Sequence, residues 1–253
     1  MTSPSGSWLR RLSPRDDAGM RIICFPHGGA GASSFNGWFR HLPNEIELVR
    51  VQLPGREDNN ERPAFTRMED LIPELYGQVL PLLDRPLAIY GHSMGALVAF
   101  ELTRALRRNN CPAPVALLVS GRRAPHKPLR RVLLHVLPEA DLVAHLRKMG
   151  GTSGDLLVRP KWLERYLPTM RADLQLSDIY RYSDEPRLTC PLHAFLGEGD
   201  NEMHREDWEA WSEQAAGEFS RTLLPGGHVF SQSTQAMLVS LITQVLTGCR
   251  VAA

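Results

Sequence analysis

The sequence predicts an α/β fold, a mostly parallel central sheet with helices on both faces, and three observations predict it. Short apolar runs rich in β-branched residues alternate with longer runs whose apolar residues recur at helical spacing. Most of the short runs end at Gly or Pro, as strands that feed tight turns do. The chain has 253 residues, 43% of them hydrophobic, enough for one domain of this class with a sizeable core. Strands alternating with helices need crossover connections, and those connections cover both faces of a parallel sheet.

The elements follow in order. "RIICF" (Arg21 to Phe25) reads as a buried strand stopped by Pro26 and a glycine cluster, and "IELVRVQL" (Ile46 to Leu53) as a second, cut off by Pro54-Gly55. In "TRMEDLIPELYGQVLPLL", Thr66 and Glu69 are spaced as a capping box. Met68, Leu71, Ile72, Leu75, Tyr76 and Val79 line one face, so this is an amphipathic helix with Pro73 early in it. Next come "PLAIY" as strand, "MGALVAFELTRALRRN" as helix, "PVALLVSG" and "CPLHAFLG" as strands, "REDWEAWSEQAA" as helix, "FSRTLLPG" as strand and "TQAMLVSLITQVLTG" as the last helix. No internal repeat is visible.

One connection breaks the rhythm. More than sixty residues separate Gly121 from Cys190, whereas α/β connections usually run to about 2–6. "PEADLVAHLRKMGG" and "PKWLERYLPTMRADLQLSDIYRY" both carry helical periodicity, with Gly150-Gly151 between them. The expectation is one domain over 1–253, with a helical lid inserted at about 124–187 over one end of the sheet and a partly mobile polar extension at 1–19.

Composition excludes several functions. Lys+Arg (29) and Asp+Glu (28) nearly cancel, leaving a net charge of +1, and no basic run exceeds pairs such as Arg122-Arg123. Nucleic acid is not the expected partner. The N-terminus lacks the apolar core of a signal peptide, and no stretch approaches the ~20 apolar residues of a membrane span. Cys24, Cys111, Cys190 and Cys249 are far apart and form no C-x-x-C ligand pair, so they read as reduced thiols of a cytoplasmic protein.

The chemistry centres on Gly91-His92-Ser93-Met94-Gly95, a G-x-S-x-G string. Such strings arise by chance in loops, but this one follows a strand and opens a helix, where a nucleophile elbow stands. A serine on so sharp a turn has strained backbone angles, and the residues two before and two after it come too close to neighbouring backbone to carry a Cβ. A serine hydroxyl is a weak nucleophile and needs a base and an orienting acid. His228 in "LLPGGHVF" follows the last strand on a Gly-Gly turn. Asp200 in "AFLGEGDNEM" ends the preceding strand, with Glu198 and Glu202 as fallbacks. This is the chain order Ser, acid, His. The backbone N–H of Met94 and that of His27 or Gly28, in "FPHGGAGASSF", are the expected donors to an oxyanion. A dinucleotide loop is excluded there, because Gly29, Gly31 and Ser34 do not space as G-x-G-x-x-G and the next strand ends without an acid for a ribose.

With these residues in place the chain resembles the α/β-hydrolase fold. Its strings "FPHGGAGASSF", "LPGRED", "GHSMGALVAFE", "VSGRRAP", "GGT", "MRADLQLSDIY" and "GGHVF" together resemble the type II thioesterases associated with polyketide and nonribosomal peptide synthases. The resemblance runs from about Cys24 to Phe230. One departure is Gly28-Gly29-Ala30, where that family more often has Ala-Gly-Gly. The resemblance implies a free-standing hydrolase that clears stalled acyl groups from the phosphopantetheine arm of carrier proteins, with a mobile lid over the acyl chamber; a monomer needs no extra assumption. It implies no metal or cofactor of the enzyme's own. Arg56 is read as finishing a turn and Arg171 with Asp173 as a lid-helix salt bridge, while Trp162, Tyr166, Leu167 and Met170 pack the lid or line the acyl channel. The alternatives are an oxygen esterase or acyltransferase of the same fold, and a non-catalytic carrier-binding module.

Overall fold

A computed structural model describes residues 7–248 other than 12, 151, 153 and 154. Seven strands form one sheet: β1 (Leu9–Arg10), β2 (Met20–Phe25), β3 (Ile46–Val51), β4 (Leu87–His92), β5 (Ala116–Ser120), β6 (Leu192–Gly197) and β7 (Phe219–Leu224). Their order is β1-β3-β2-β4-β5-β6-β7, and every pairing is parallel except the antiparallel β1·β3 edge. Strands β2 to β6 are buried along their whole length, as expected of a sheet covered on both faces.

Alternate side chains serve the two cores. Ile23, Phe25, Val49, Val51 and Ile89 face α1 (Met68–Val79) and α2 (Met94–Arg108). Ile22, Cys24, Leu48, Tyr90 and Leu118 face Trp38 and the apolar stripe Leu238, Val239, Ile242 and Leu246 of α6 (Gln232–Gly248). A third apolar cluster belongs to the segment between β5 and β6, where Leu142 and Leu146 of α3 (Glu139–Met149) pack on Leu167, Met170 and Leu174 of α4 (Pro160–Asp178). The direction in which successive strands are added to the sheet reverses at β2, since β3 lies on one side of it and β4 on the other. The crevice outside the carboxyl ends of β2 and β4 is therefore the topological switch point, where ligands of open α/β sheets bind.

Within the extension expected at 1–19, Trp8 is buried and Leu9–Arg10 pairs with Arg50 and Val51. Residues 1–6 and 12 lie outside the described residues, as do Gly151 and Cys249. Three expectations are corrected. The capping box is absent, because α1 starts at Met68 with Arg67 as its N-cap, and Thr66 stands too far ahead to cap the first turn. "REDWEAWSEQAA" gives only a short α5 (Arg205–Glu209), followed by a 3-10 turn over Ala210–Gln214. That tighter winding brings i and i+3 side chains into line and buries both Trp208 and Trp211. Finally, Arg171 does not pair with Asp173 but donates to the carbonyls of His135 and Leu137 at 2.8 Å. Among the described residues no helix is long and apolar enough to cross a membrane.

Candidate active site

Ser93 sits between β4 and α2 at φ 54° and ψ −114°, in the positive-φ half of backbone space that a non-glycine residue occupies only under constraint. Its N–H donates to the Ser120 carbonyl at 2.8 Å, which ties the turn to the neighbouring strand. The flanking glycines are sterically required. A Cβ on Gly91 would lie 2.1 Å from the Gly95 carbonyl oxygen, and one on Gly95 would lie 2.3 Å from that of Phe25.

The same device assembles the other two groups. A Cβ on Gly197 would lie 2.4 Å from the carbonyl oxygen of Gly227, and the Gly199 N–H donates to the Gly226 carbonyl at 2.9 Å. The loops after β6 and β7 thus close backbone to backbone. This contact brings Asp200 Oδ2 to 2.9 Å from His228 Nδ1, and His228 Nε2 to 2.9 Å from Ser93 Oγ. A carboxylate only accepts, so Nδ1 carries the proton and Nε2 is left to accept from the serine hydroxyl. The second oxygen, Asp200 Oδ1, accepts from the Glu202 N–H at 2.9 Å, which fixes the carboxylate plane. The fallback acids do not hold His228: Glu198 is exposed, and Glu202, which lines the same cavity, pairs with His145 at 3.1 Å.

His92 packs beneath this group, buried, with its ring centroid 5.5 Å from that of His228 and its Nδ1 2.6 Å from Ser120 Oγ. Burial, reinforced by the proximity of His228 and His27, holds its pKa well below the usual histidine range. It stays neutral and places no second cation under His228.

Met94 is the first residue of α2, so its N–H has no acceptor within the helix. The N–H groups of His27 and Gly28 likewise have no protein acceptor among the described residues. All three residues line one cavity with Ser93 and His228. The next N–H in the loop, that of Gly29, is already committed to Asp173 Oδ2 at 2.7 Å. The far wall comes from the segment between β5 and β6, with Leu134, Leu146, Tyr166, Met170 and Leu174. Leu167 points into the apolar cluster of that segment and Trp162 stacks on Tyr166 at 4.2 Å. Among the described residues no group of three or more His, Cys, Asp or Glu is arranged to hold a metal ion.

One feature was missed from sequence. Arg56, in the turn after β3, grips Asp173 of α4 with both terminal nitrogens, at 2.6 and 2.8 Å, and both residues are buried. The same Asp173 holds Gly29, so a single carboxylate joins α4, the turn after β3 and the loop beside the unpaired N–H groups. "PGRED" and "MRADL" were visible as strings, but their partnership spans 117 residues and no local spacing encodes it.

A strained serine at a strand-helix turn, a histidine oriented by a buried acid, and free backbone donors facing an apolar wall form the arrangement that acyl transfer requires. Residues 20–246 match the family model described as a thioesterase domain. The chain is 34% identical to the gramicidin S biosynthesis protein GrsT of Aneurinibacillus migulanus, over 96% of this chain and 95% of that one. It is 37% identical to LgrE of Brevibacillus parabrevis, named a linear gramicidin dehydrogenase, over 96% and 94%. RedJ, a thioesterase from the prodiginine pathway of Streptomyces coelicolor, superposes with a TM-score of 0.87 at 34% identity, covering 92% of each chain. On the match of nearly the whole chain, with the strand order of the α/β-hydrolase fold around it, this protein belongs to the thioesterase family.

Proposed function

We propose that the chain is a type II, editing thioesterase that hydrolyses acyl groups from the phosphopantetheine arm of carrier proteins of polyketide or nonribosomal peptide synthases. The observation that carries this reading is the continuous hydrogen-bonded chain Ser93–His228–Asp200, opening into a cavity with unpaired N–H groups on one side and apolar side chains on the other. The biosynthetic names of its relatives support the carrier-bound substrate.

In the proposed mechanism His228 Nε2 takes the Ser93 proton as Oγ attacks the thioester carbonyl, and Asp200 stabilises the imidazolium. The Met94 N–H, with that of His27 or Gly28, stabilises the tetrahedral oxyanion, each donor contributing about 3–4 kcal/mol by analogy with other hydrolases. Collapse expels the pantetheine thiolate, which leaves with the proton from Nε2. Water, deprotonated by the same nitrogen, then clears the acyl-enzyme as a carboxylic acid. All of these groups come from one chain, so a monomer in the cytoplasm beside its synthases suffices. The enzyme needs no cofactor of its own, and the phosphopantetheine arrives on the partner. The first loop does not suit a dinucleotide, because its glycines pack against the protein itself. A Cβ on Gly29 would lie 2.5 Å from Met170 Cε, and one on Gly31 would lie 2.5 Å from Glu57 Cδ.

A panel of acylated carrier proteins assayed with the wild type and Ser93→Ala tests the reading. Hydrolysis is expected to fall about 10⁴-fold or more in the variant, as for other serine hydrolases stripped of the nucleophile. Unchanged turnover in the variant would overturn the mechanism, and a clear preference for simple oxygen esters would overturn the substrate class.

A further inference from the structure

"VSGRRAP" leaves β5 at the sheet end that carries Ser93, and the mechanism makes no use of its cations. Gly121, at φ 58°, turns the chain over the His92 ring, where a Cβ would lie 2.8 Å from Cε1. Arg122 follows, anchored through its carbonyl by a 2.8 Å bond from the Trp211 indole N–H. It is 8% exposed, and it lines the same cavity as Ser93 and His228.

The guanidinium there is poorly satisfied. Its Nε is buried without a hydrogen-bond partner. One terminal nitrogen reaches the Ser177 carbonyl only at 3.5 Å, and the other makes no hydrogen bond among the described residues. Arg123, on the same wall, donates among the described residues only to the Lys127 carbonyl. The acids around the cavity are already engaged: Asp173 by Arg56, Asp178 by Arg131 and His135, and Glu202 by His145. Burial, with Arg123 and Arg131 close by, pushes the Arg122 pKa well down, against the attraction of Asp178 and Tyr180. An arginine does not shed its proton to relieve such a position, whereas an anionic ligand relieves it directly.

Resting on the thioesterase reading above, we propose that Arg122, assisted by Arg123, is a specificity-determining site that takes a carboxylate carried on the acyl group, so that half-thioesters of dicarboxylic acids are preferred substrates. The phosphate of the carrier arm is the other anion in reach of such an enzyme. It is separated from the thioester by the whole length of the pantetheine, while Arg122 shares a cavity with the nucleophile.

The test compares kcat/KM for succinyl, glutaryl and adipyl thioesters with butyryl, valeryl and hexanoyl thioesters of matched length. Each is presented both on holo carrier protein and on N-acetylcysteamine, which has no phosphate, to the wild type, Arg122→Gln and Arg122→Lys. The expected result is a ratio of carboxylated to neutral substrate that falls about tenfold to a hundredfold in Arg122→Gln on both carriers, the worth of a lost charge-assisted hydrogen bond, and that Arg122→Lys largely restores. Equal change for both acyl series would overturn the proposal, and so would a loss seen only with carrier-borne substrates, which would assign Arg122 to the phosphate. A wild type inert on every thioester would count against the proposed function alone. Calorimetric binding of glutarate to wild type and Arg122→Gln would then decide the site, with equal binding overturning it.

Discussion

Two regions meet at the cavity and are held by different forces. The sheet end places Ser93, His228 and Asp200 through backbone packed on backbone, with glycines at every contact where a methyl would collide. The segment between β5 and β6 has a small apolar cluster of its own and is joined to the rest by Leu176, Tyr180 and Tyr182, which pack on the main core, and by charge. Asp173 meets Arg56, and Glu185 meets Arg104, Arg107 and Arg108 of α2. The difference teaches where tolerance lies. Backbone contacts have no alternative rotamer, so the catalytic geometry is steep in energy, while side-chain pairs can part and re-form as substrates of different length enter.

The sharpest way to break this comparison is to add one carbon on the rigid side. Gly95→Ala puts a methyl 2.3 Å from the Phe25 carbonyl and 2.5 Å from that of Pro26, neither of which can rotate away. Overpacking of this kind costs about 1–3 kcal/mol or more, and displacing the elbow relative to the first loop is expected to lower kcat about 10²-fold. Gly77→Ala is the control, since nothing lies within 4 Å of its Cβ position in α1. It should raise stability by about 0.5–1 kcal/mol. Thermal melts and kcat measured together check both, and a Gly95→Ala enzyme with parental kcat would refute the steric account of the elbow.

A smaller effect is expected where the two regions touch through charge. Asp173→Asn leaves Arg56 buried opposite a neutral amide and weakens the hold on Gly29. Breaking one side of a buried pair costs about 3–5 kcal/mol, but here the loss can be confined to release of α4. Faster amide exchange in α4 is the expected signature, with unchanged exchange in β4 and β5, and a fall in kcat/KM. If α4 and the central strands lost protection together, the segment would be part of the sheet's cooperative unit and the contrast between the regions would disappear.

The two regions were also unequally legible. The elbow could be read because sterics write themselves into sequence: between a strand and a helix, Gly91 and Gly95 at fixed distances from Ser93 mark a turn too tight for a Cβ at either position. Asp200 and His228 were readable from their turns, Gly197 at the end of one strand and Gly226-Gly227 after the next, whereas the contact that joins these two loops was not. Arg56 and Asp173 could not be paired, because ion pairs at long separation carry no spacing rule, and the nearer Arg171 offered a false partner at i−2, which does not face Asp173 on a helix. The edge strand β1 escaped notice since two residues have no period, and Trp8 signals burial only once β3 is in place beside it.

The smallest effect lies at the far end of the charged tether. Burial works against the Glu185 carboxylate, but hydrogen bonds from Arg104 and Arg107 outweigh it and hold its pKa below the ordinary range. A folded-state pKa lower than the unfolded one means that stability from this group is fully present above the unfolded value, near pH 4.3. It is lost as pH falls through the folded value. Since the side chain is partly open to solvent, the contribution should stay below about 1 kcal/mol. Melting curves of wild type and Glu185→Gln between about pH 6 and about pH 3 should therefore converge as the pH drops. Because the tether fastens the exit of the inserted segment to α2, limited proteolysis of that segment should accelerate over the same interval in the wild type and vary less with pH in Glu185→Gln. Parallel, non-converging curves would show that the arginines are satisfied by Glu101 and the Ser183 carbonyl, which also meet Arg104, and that Glu185 contributes nothing to holding the two regions together.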